Sequence, residues 1–145
     1  MQYWPLQASA AIMAEIDDIS RSGSKEKLAS YAGLVPRQNQ SGSSDIRGHI
    51  TKHGPSMLRF IMVNDAHSVI KYSERMRIKD LSLVRRLGKN RAVVAITRIL
   101  METIYTMLSS GTEFIDRIDP LTERKMASMR SRAVKPSQIQ EWKIE

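Results

Sequence analysis

The chain has 145 residues and an apolar fraction of 41%, enough for one cored domain or a domain with a tail, and a formal net charge of +8. It has no cysteine, which removes disulfides and thiolate metal sites. The opening MQYWPLQASAAIMAEIDD lacks a basic n-region and turns acidic after its apolar run, so it does not read as a signal peptide. No run is read as approaching the ~18 apolar residues that cross a bilayer, and a soluble cytoplasmic protein is the expectation.

Residues 1–5 read as irregular, with Pro5 before or at the start of a helix over 6–19. Leu6, Ala10, Met13 and Ile16 recur there at helical spacing, and Arg21-Ser22-Gly23-Ser24 breaks it. Ser24 is a fair N-cap for a second helix over 25–32, with Leu28, Tyr31 and Ala32 facing inward. Gly33 is the natural left-handed C-cap. Residues 34–53 read as a long polar loop, with short extended pieces around Leu34-Val35 and His49-Ile50. A helix over about 55–73 starts with Pro and carries Met57, Leu58, Ile61, Met62, Val69 and Ile70 opposite a stripe of Asn64, His67, Ser68 and Lys71. The next, about 74–87, is basic, with a thin apolar edge at Met76, Ile78, Leu81 and Val84, and Gly88 stops it. The helix over about 90–109 is apolar nearly all round and belongs at the centre of a bundle. Arg98 and Glu102, four apart on it, are spaced to pair. After Gly111 come a turn at Asp119-Pro120, a possible helix over 121–132 and Lys135-Pro136-Ser137, together read as a weakly ordered tail. The fold class is mainly α: a small helical bundle with a long basic Ser/Gly-containing loop between the second and third helices.

The charge is concentrated. Residues 46–98 hold twelve of the 23 Lys and Arg residues but only three acids, Asp65, Glu74 and Asp80. Such a block is the footprint of a polyanion-binding surface, with a solvated basic face as the plain alternative. No stripe pairs these cations with exposed Trp or Phe, so an anionic membrane is a poorer match.

The loop over 34–53 holds the candidate chemistry. Ser41, followed by Gly42, lies among Arg37, Arg47 and Lys52. A serine in that setting could attack a phosphodiester, with the cations stabilising the transition state and Asp45 or His49 taking the proton. Equally, Ser-Gly is ordinary turn chemistry. His49 and His53 are four apart without a helix or a third ligand, which speaks against metal; phosphate or base contact and simple solvation both remain open. Lys52 and Arg59 flank the start of the helix at Pro55, where free N–H groups and cations make an anion site, although Arg59 could equally be a surface residue. The Gly-rich nucleotide-binding fingerprints do not occur, and Glu15, Asp17 and Asp18 show no two-metal pattern.

The ordered motifs LASYAGLVP, QSG, GHITKHG and LR over roughly residues 10–110 closely resemble the C-terminal domain of the DEDD transposases of bacterial and archaeal insertion sequences, the bridge-RNA-guided recombinases. In that family a RuvC-like domain carries four acids that bind divalent metal. The C-terminal domain carries a catalytic serine in the QSG motif, which maps onto Ser41. That serine joins covalently to cleaved DNA, in a site completed across the subunits of a tetramer. The resemblance also marks Gly42, Gly48, Lys52, Gly54 and Arg59 as scaffold or nucleic-acid contacts. Family members are more than twice this length, and a Pro-Gly-x-Gly hairpin usually precedes the segment matched by AIMAEI, where this chain has MQYWPLQASA.

The resemblance therefore implies a DNA-binding C-terminal part of such a transposase, truncated, acting in transposition and recombination. Residues 1–24 would be the remnant of a helix-hairpin-helix-like element, 25–110 the catalytic-serine domain and 111–145 the tail. Ser41 would be the nucleophile, with Arg37, Arg47, His49, Lys52 and Arg59 on the phosphates. No cofactor is expected in this chain; Mg would enter only with the RuvC-like half, without which the chain would not cut DNA. The expected partners are DNA, a guide RNA and further copies or a partner transposase subunit, with no membrane, in a nucleoid-associated location. The alternative is a non-catalytic module that docks onto a full-length transposase and regulates it.

Overall fold

The structure, a computed structural model, describes residues 6–41, 44–114, 116 and 120–133, with the backbone alone over 6–7, 37–41, 44–49 and 120–121. The first five residues, Asp119 and the Lys135-Pro136-Ser137 segment lie outside it. Its elements are α1 (Leu6–Ile16), a 3-10 turn (Ile19–Ser22), α2 (Lys25–Tyr31), β1 (Pro36–Ser41), β2 (Ser44–Ile50), α3 (Ser56–Tyr72), α4 (Glu74–Leu87), α5 (Lys89–Ser110) and α6 (Pro120–Arg132). The mainly helical class holds. The segment expected as a loop is instead an antiparallel hairpin of β1 and β2.

Local chemistry sets the boundaries. α1 stops three residues earlier than its periodicity suggests. Asp17 adopts a left-handed φ of 56°, which a short polar side chain tolerates, and Asp18 then caps the 3-10 turn by accepting from the Ser20 N–H at 2.8 Å. Ser24 caps α2 through the Lys27 N–H at 3.2 Å. Ser73, itself buried, does the same for α4 through Met76. Pro55 occupies the N-cap of α3 rather than its first turn, a one-residue difference within the fraying of helix ends.

The core joins Ile12 and Ile16 of α1, Leu28 and Ala32 near the end of α2, Leu58, Met62, Ala66 and Val69 of α3, Met76 of α4, and a long stripe of α5 from Val93 to Ile104. α5 packs against α2, α3 and α4 and lies at the centre, as its nearly continuous apolar surface requires. Arg98 and Glu102 do pair on it, at 2.9 Å. By length and mean hydropathy α5 is long and apolar enough to cross a membrane, contrary to the sequence reading, yet it serves here as the central helix of the bundle. Residues 120–132 form a helix on α4, with Met126 buried. One inward assignment needs correcting: Tyr31 is exposed, as are Met13 and Met57, which recur at helical spacing. Apolar identity at helical spacing places a residue near a face, but a short helix or a first turn lets it project past the edge of the core.

Asp80 on α4 is a point of tension. Its Oδ1 is buried without a hydrogen-bond partner, and burial raises its pKa above the usual carboxylate range, opposed by His67 and Lys89. A raised folded-state pKa favours folding below the unfolded value, about 3.8, and that contribution is lost as pH rises through the folded value. Asp80→Asn is therefore expected to raise the melting temperature at pH 7, with the gain fading near pH 3. A gain that ignored pH would contradict this account.

Candidate nucleic-acid interface

The hairpin grows from a braced base. α2 ends in a Schellman motif: Leu34 N–H donates to Ala29 O at 3.0 Å and Gly33 N–H to Ser30 O at 2.9 Å. Gly33 takes φ 70°, and a Cβ there would run into the backbone of Lys52 and His53. Gly54, at φ 96°, meets the Tyr31 carbonyl in the same way. Two stretches of main chain, 31–33 and 52–54, thus pass in contact at the root of the hairpin. Only glycine combines these dihedrals with this closeness. Thr51 N–H to Val35 O at 3.0 Å and Lys52 N–H to Gly33 O at 3.2 Å close the root.

Arg59, in the first turn of α3, fastens that root from beneath. Its Nη1 donates to Ala32 O at 3.3 Å, His53 O at 3.3 Å and Gly54 O at 3.1 Å. The C-terminal carbonyls of a helix lack intrahelical partners, and the guanidinium satisfies one of them while holding the turn. The residue expected to hold a phosphate has work inside the fold. Lys52 sits above it, exposed, with a left-handed φ of 55°. That conformation is uncommon for a side-chain-bearing residue and tends to occur where function or tight packing over-determines the backbone.

Beyond the root, β1 and β2 pair with each other and pack on no helix to a comparable extent. The register sets Pro36 opposite Ile50, Gln38 opposite Arg47, Asn39 opposite Ile46, Gln40 opposite Asp45 and Ser41 opposite Ser44. Between the first two pairs β2 has one residue more than β1, so Gly48 and His49 together oppose Arg37 in a bulge. Ser41 closes the far end of the strands, while Gly42 lies outside the described residues. At ~3.4 Å per residue, the Arg37 backbone is about 14 Å from Ser41 along β1, and that of His49 about 17 Å from Ser44 along β2. Asp45 is one register step from Ser41. The register therefore sets Ser41 opposite Ser44, leaves Asp45 at the alternate pleat position opposite Gln40, and spreads Arg37, Arg47, His49 and Lys52 along the arm towards its root. The sequence carried a missed hairpin signal in the two-residue Gly42-Ser43 connection.

The model of the IS116/IS110/IS902 transposase family matches residues 6–79, from α1 through the hairpin into α4. The chain belongs to that family. It is also 29% identical over 103 residues to the transposase for insertion sequence element IS1111A of Coxiella burnetii, a match covering 68% of this chain and 28% of that protein. A probable family 20 transposase of Pseudomonas aeruginosa is 29% identical over 113 residues, covering 74% of this chain and 33% of the relative. The chain thus spans a third or less of the length of these curated relatives. No solved structure matches it. The family match includes every candidate residue of the hairpin and its root. Among the described residues no group of three His, Asp or Glu side chains could hold a metal.

Proposed function

We propose that this chain is a nucleic-acid-binding, C-terminal part of a transposase, and that the β1–β2 arm is the surface that meets the phosphodiester backbone. The observation that carries the reading is the arm itself. Its strands, PRQNQS and SDIRGHI, hold only two aliphatic residues, Ile46 and Ile50, and an isolated two-stranded ribbon is marginal in water. Yet its root is held by two glycine contacts, an arginine fastener and a strained Lys52. Such bracing of a polar ribbon is explained by a partner that the ribbon must meet in a set orientation.

In this reading Arg37, Arg47, His49 and Lys52 contact successive phosphates along the arm. Ser41, at its end, is the nucleophile that attacks phosphorus, and its proton passes to solvent or to a base brought by the metal-binding half. The serine oxygen bonds to phosphorus, the phosphorus–oxygen bond to the leaving strand breaks, and the departing 3′- or 5′-oxygen takes up a proton. Cutting also requires the acidic, metal-binding half of a full-length transposase, so this chain alone binds without cleaving. Family membership and the match over residues 6–79 support this reading.

Binding of the whole chain to duplex DNA across a salt series tests it. Each lost phosphate contact should flatten the slope of log K against log salt by about 0.9. The variant Arg37→Ala/Arg47→Ala/Lys52→Ala is expected to flatten it by about 2 to 3 units. A wild-type slope in that variant would remove the arm from the interface.

A further inference from the structure

Four cations, Lys79, Arg85, Arg86 and Arg132, line a groove between α4 and α6 away from the hairpin, and we propose that this groove is a second track for a phosphodiester backbone. This goes beyond the arm and does not depend on it. Lys79, Ser82, Leu83, Arg85 and Arg86 of α4 line the groove with Met129 and Arg132 of α6. Among the described residues no acid lines it, and none of the hairpin or its root contributes.

The groove is built rather than incidental. Met126 of α6 is buried, and Arg130 of α6 donates to Glu74 of α4 at 2.7 Å, which ties the two helices together beside the groove. Arg132 is steadied by its own helix, with Nε donating to Ser128 O and Nη2 to Ser128 Oγ, both at 3.1 Å. Leu83 and Met129 supply apolar surface along which the long cationic stems can lie. Lys79 is crowded: burial, Arg75 and Lys125 all disfavour its charged form, and only Glu102 opposes them. An anion bound beside Lys79 favours its charged form.

Spacing selects a polymer over a small ion. Lys79 and Arg86 lie seven residues apart on α4, about 10 Å along its axis. That separation corresponds to roughly three base-pair rises along a duplex axis at ~3.4 Å each. A single phosphate would satisfy one end of the row and leave the other exposed to solvent. The track binds DNA or RNA by the same chemistry, and separate duplexes of each distinguish them.

The test is the salt dependence of binding of the whole chain to a short DNA duplex and to a short RNA duplex. Lys79→Gln/Arg86→Gln/Arg132→Gln is compared with Arg21→Gln/Lys25→Gln/Lys27→Gln, which removes the same charge from residues that do not line the groove. The groove variant is expected to flatten the slope by about 2 to 3 units, and the control by less than about half a unit. Arg85→Gln/Arg86→Gln, at two exposed positions, is expected to flatten it by about 2 units with unchanged helical content. Flattening with one duplex alone assigns the track to that nucleic acid. An unchanged slope in both groove variants overturns the inference, as does equal flattening in the control. So does retention on phosphatidylserine vesicles with no nucleic-acid effect. Because the hairpin variant is scored separately, loss at the arm alone sinks the groove, and loss at the groove alone sinks the arm.

Discussion

Gly54→Ala is expected to destabilise the protein by about 3 kcal/mol or more, an effect at the upper end for single substitutions. Two terms add. The left-handed φ of 96° is unfavourable for a residue with a Cβ by about 1–2 kcal/mol. The new Cβ would also fall on the Tyr31 carbonyl oxygen, a backbone atom at the end of α2 that no side-chain rotation can move aside. Relief requires the main chains at 31–33 and 52–54 to separate, which strains the Lys52–Gly33 hydrogen bond and the grip of Arg59. Gly111→Ala is the matched control. Gly111 has φ 64° with nothing within 4 Å of its would-be Cβ, so only the dihedral term of about 1 kcal/mol applies. Chemical unfolding of both variants checks the comparison. Equal losses would mean that the close approach at the hairpin root is not what glycine is there for.

Arg59→Met is expected to lower stability by about 2 kcal/mol while leaving the salt dependence of nucleic-acid binding nearly unchanged. A charged donor contributes about 1.5–3 kcal/mol when its bond is buried. Of the three carbonyls it serves, the bond to Ala32 is partly buried and those to His53 and Gly54 are exposed, which reduces the sum. Methionine keeps the stem's packing and removes the donors. Were Arg59 a phosphate ligand, the slope would flatten by about one unit. Unfolding and binding measured on the same variant separate the two roles.

Much of the bundle was legible. Apolar residues all round 90–109 announced a central helix, Ser24 and Gly33 announced the ends of α2, and the four-residue spacing of Arg98 and Glu102 announced their pair. The hairpin was not legible, because strands are read from alternation of apolar and polar residues, and PRQNQS and SDIRGHI have almost no apolar residues to alternate. Their order comes from pairing across the chain and from the contacts at their root, which are non-local. The same holds for Tyr31 and Met57: helical spacing made them apolar candidates, and the edge of the packed core left them outside.

By itself the sequence determined the helical class, the central helix, the basic block and the family, since each follows from local periodicity, composition or ordered motifs. Only the tertiary structure decided that residues 36–50 pair as an arm, that Gly33 and Gly54 brace it, and that Arg59 donates to the carbonyls at its root. It alone also gathered Lys79, Arg86 and Arg132 along one groove. These outcomes depend on main chains distant in sequence meeting within a few ångströms, and no local pattern encodes that distance.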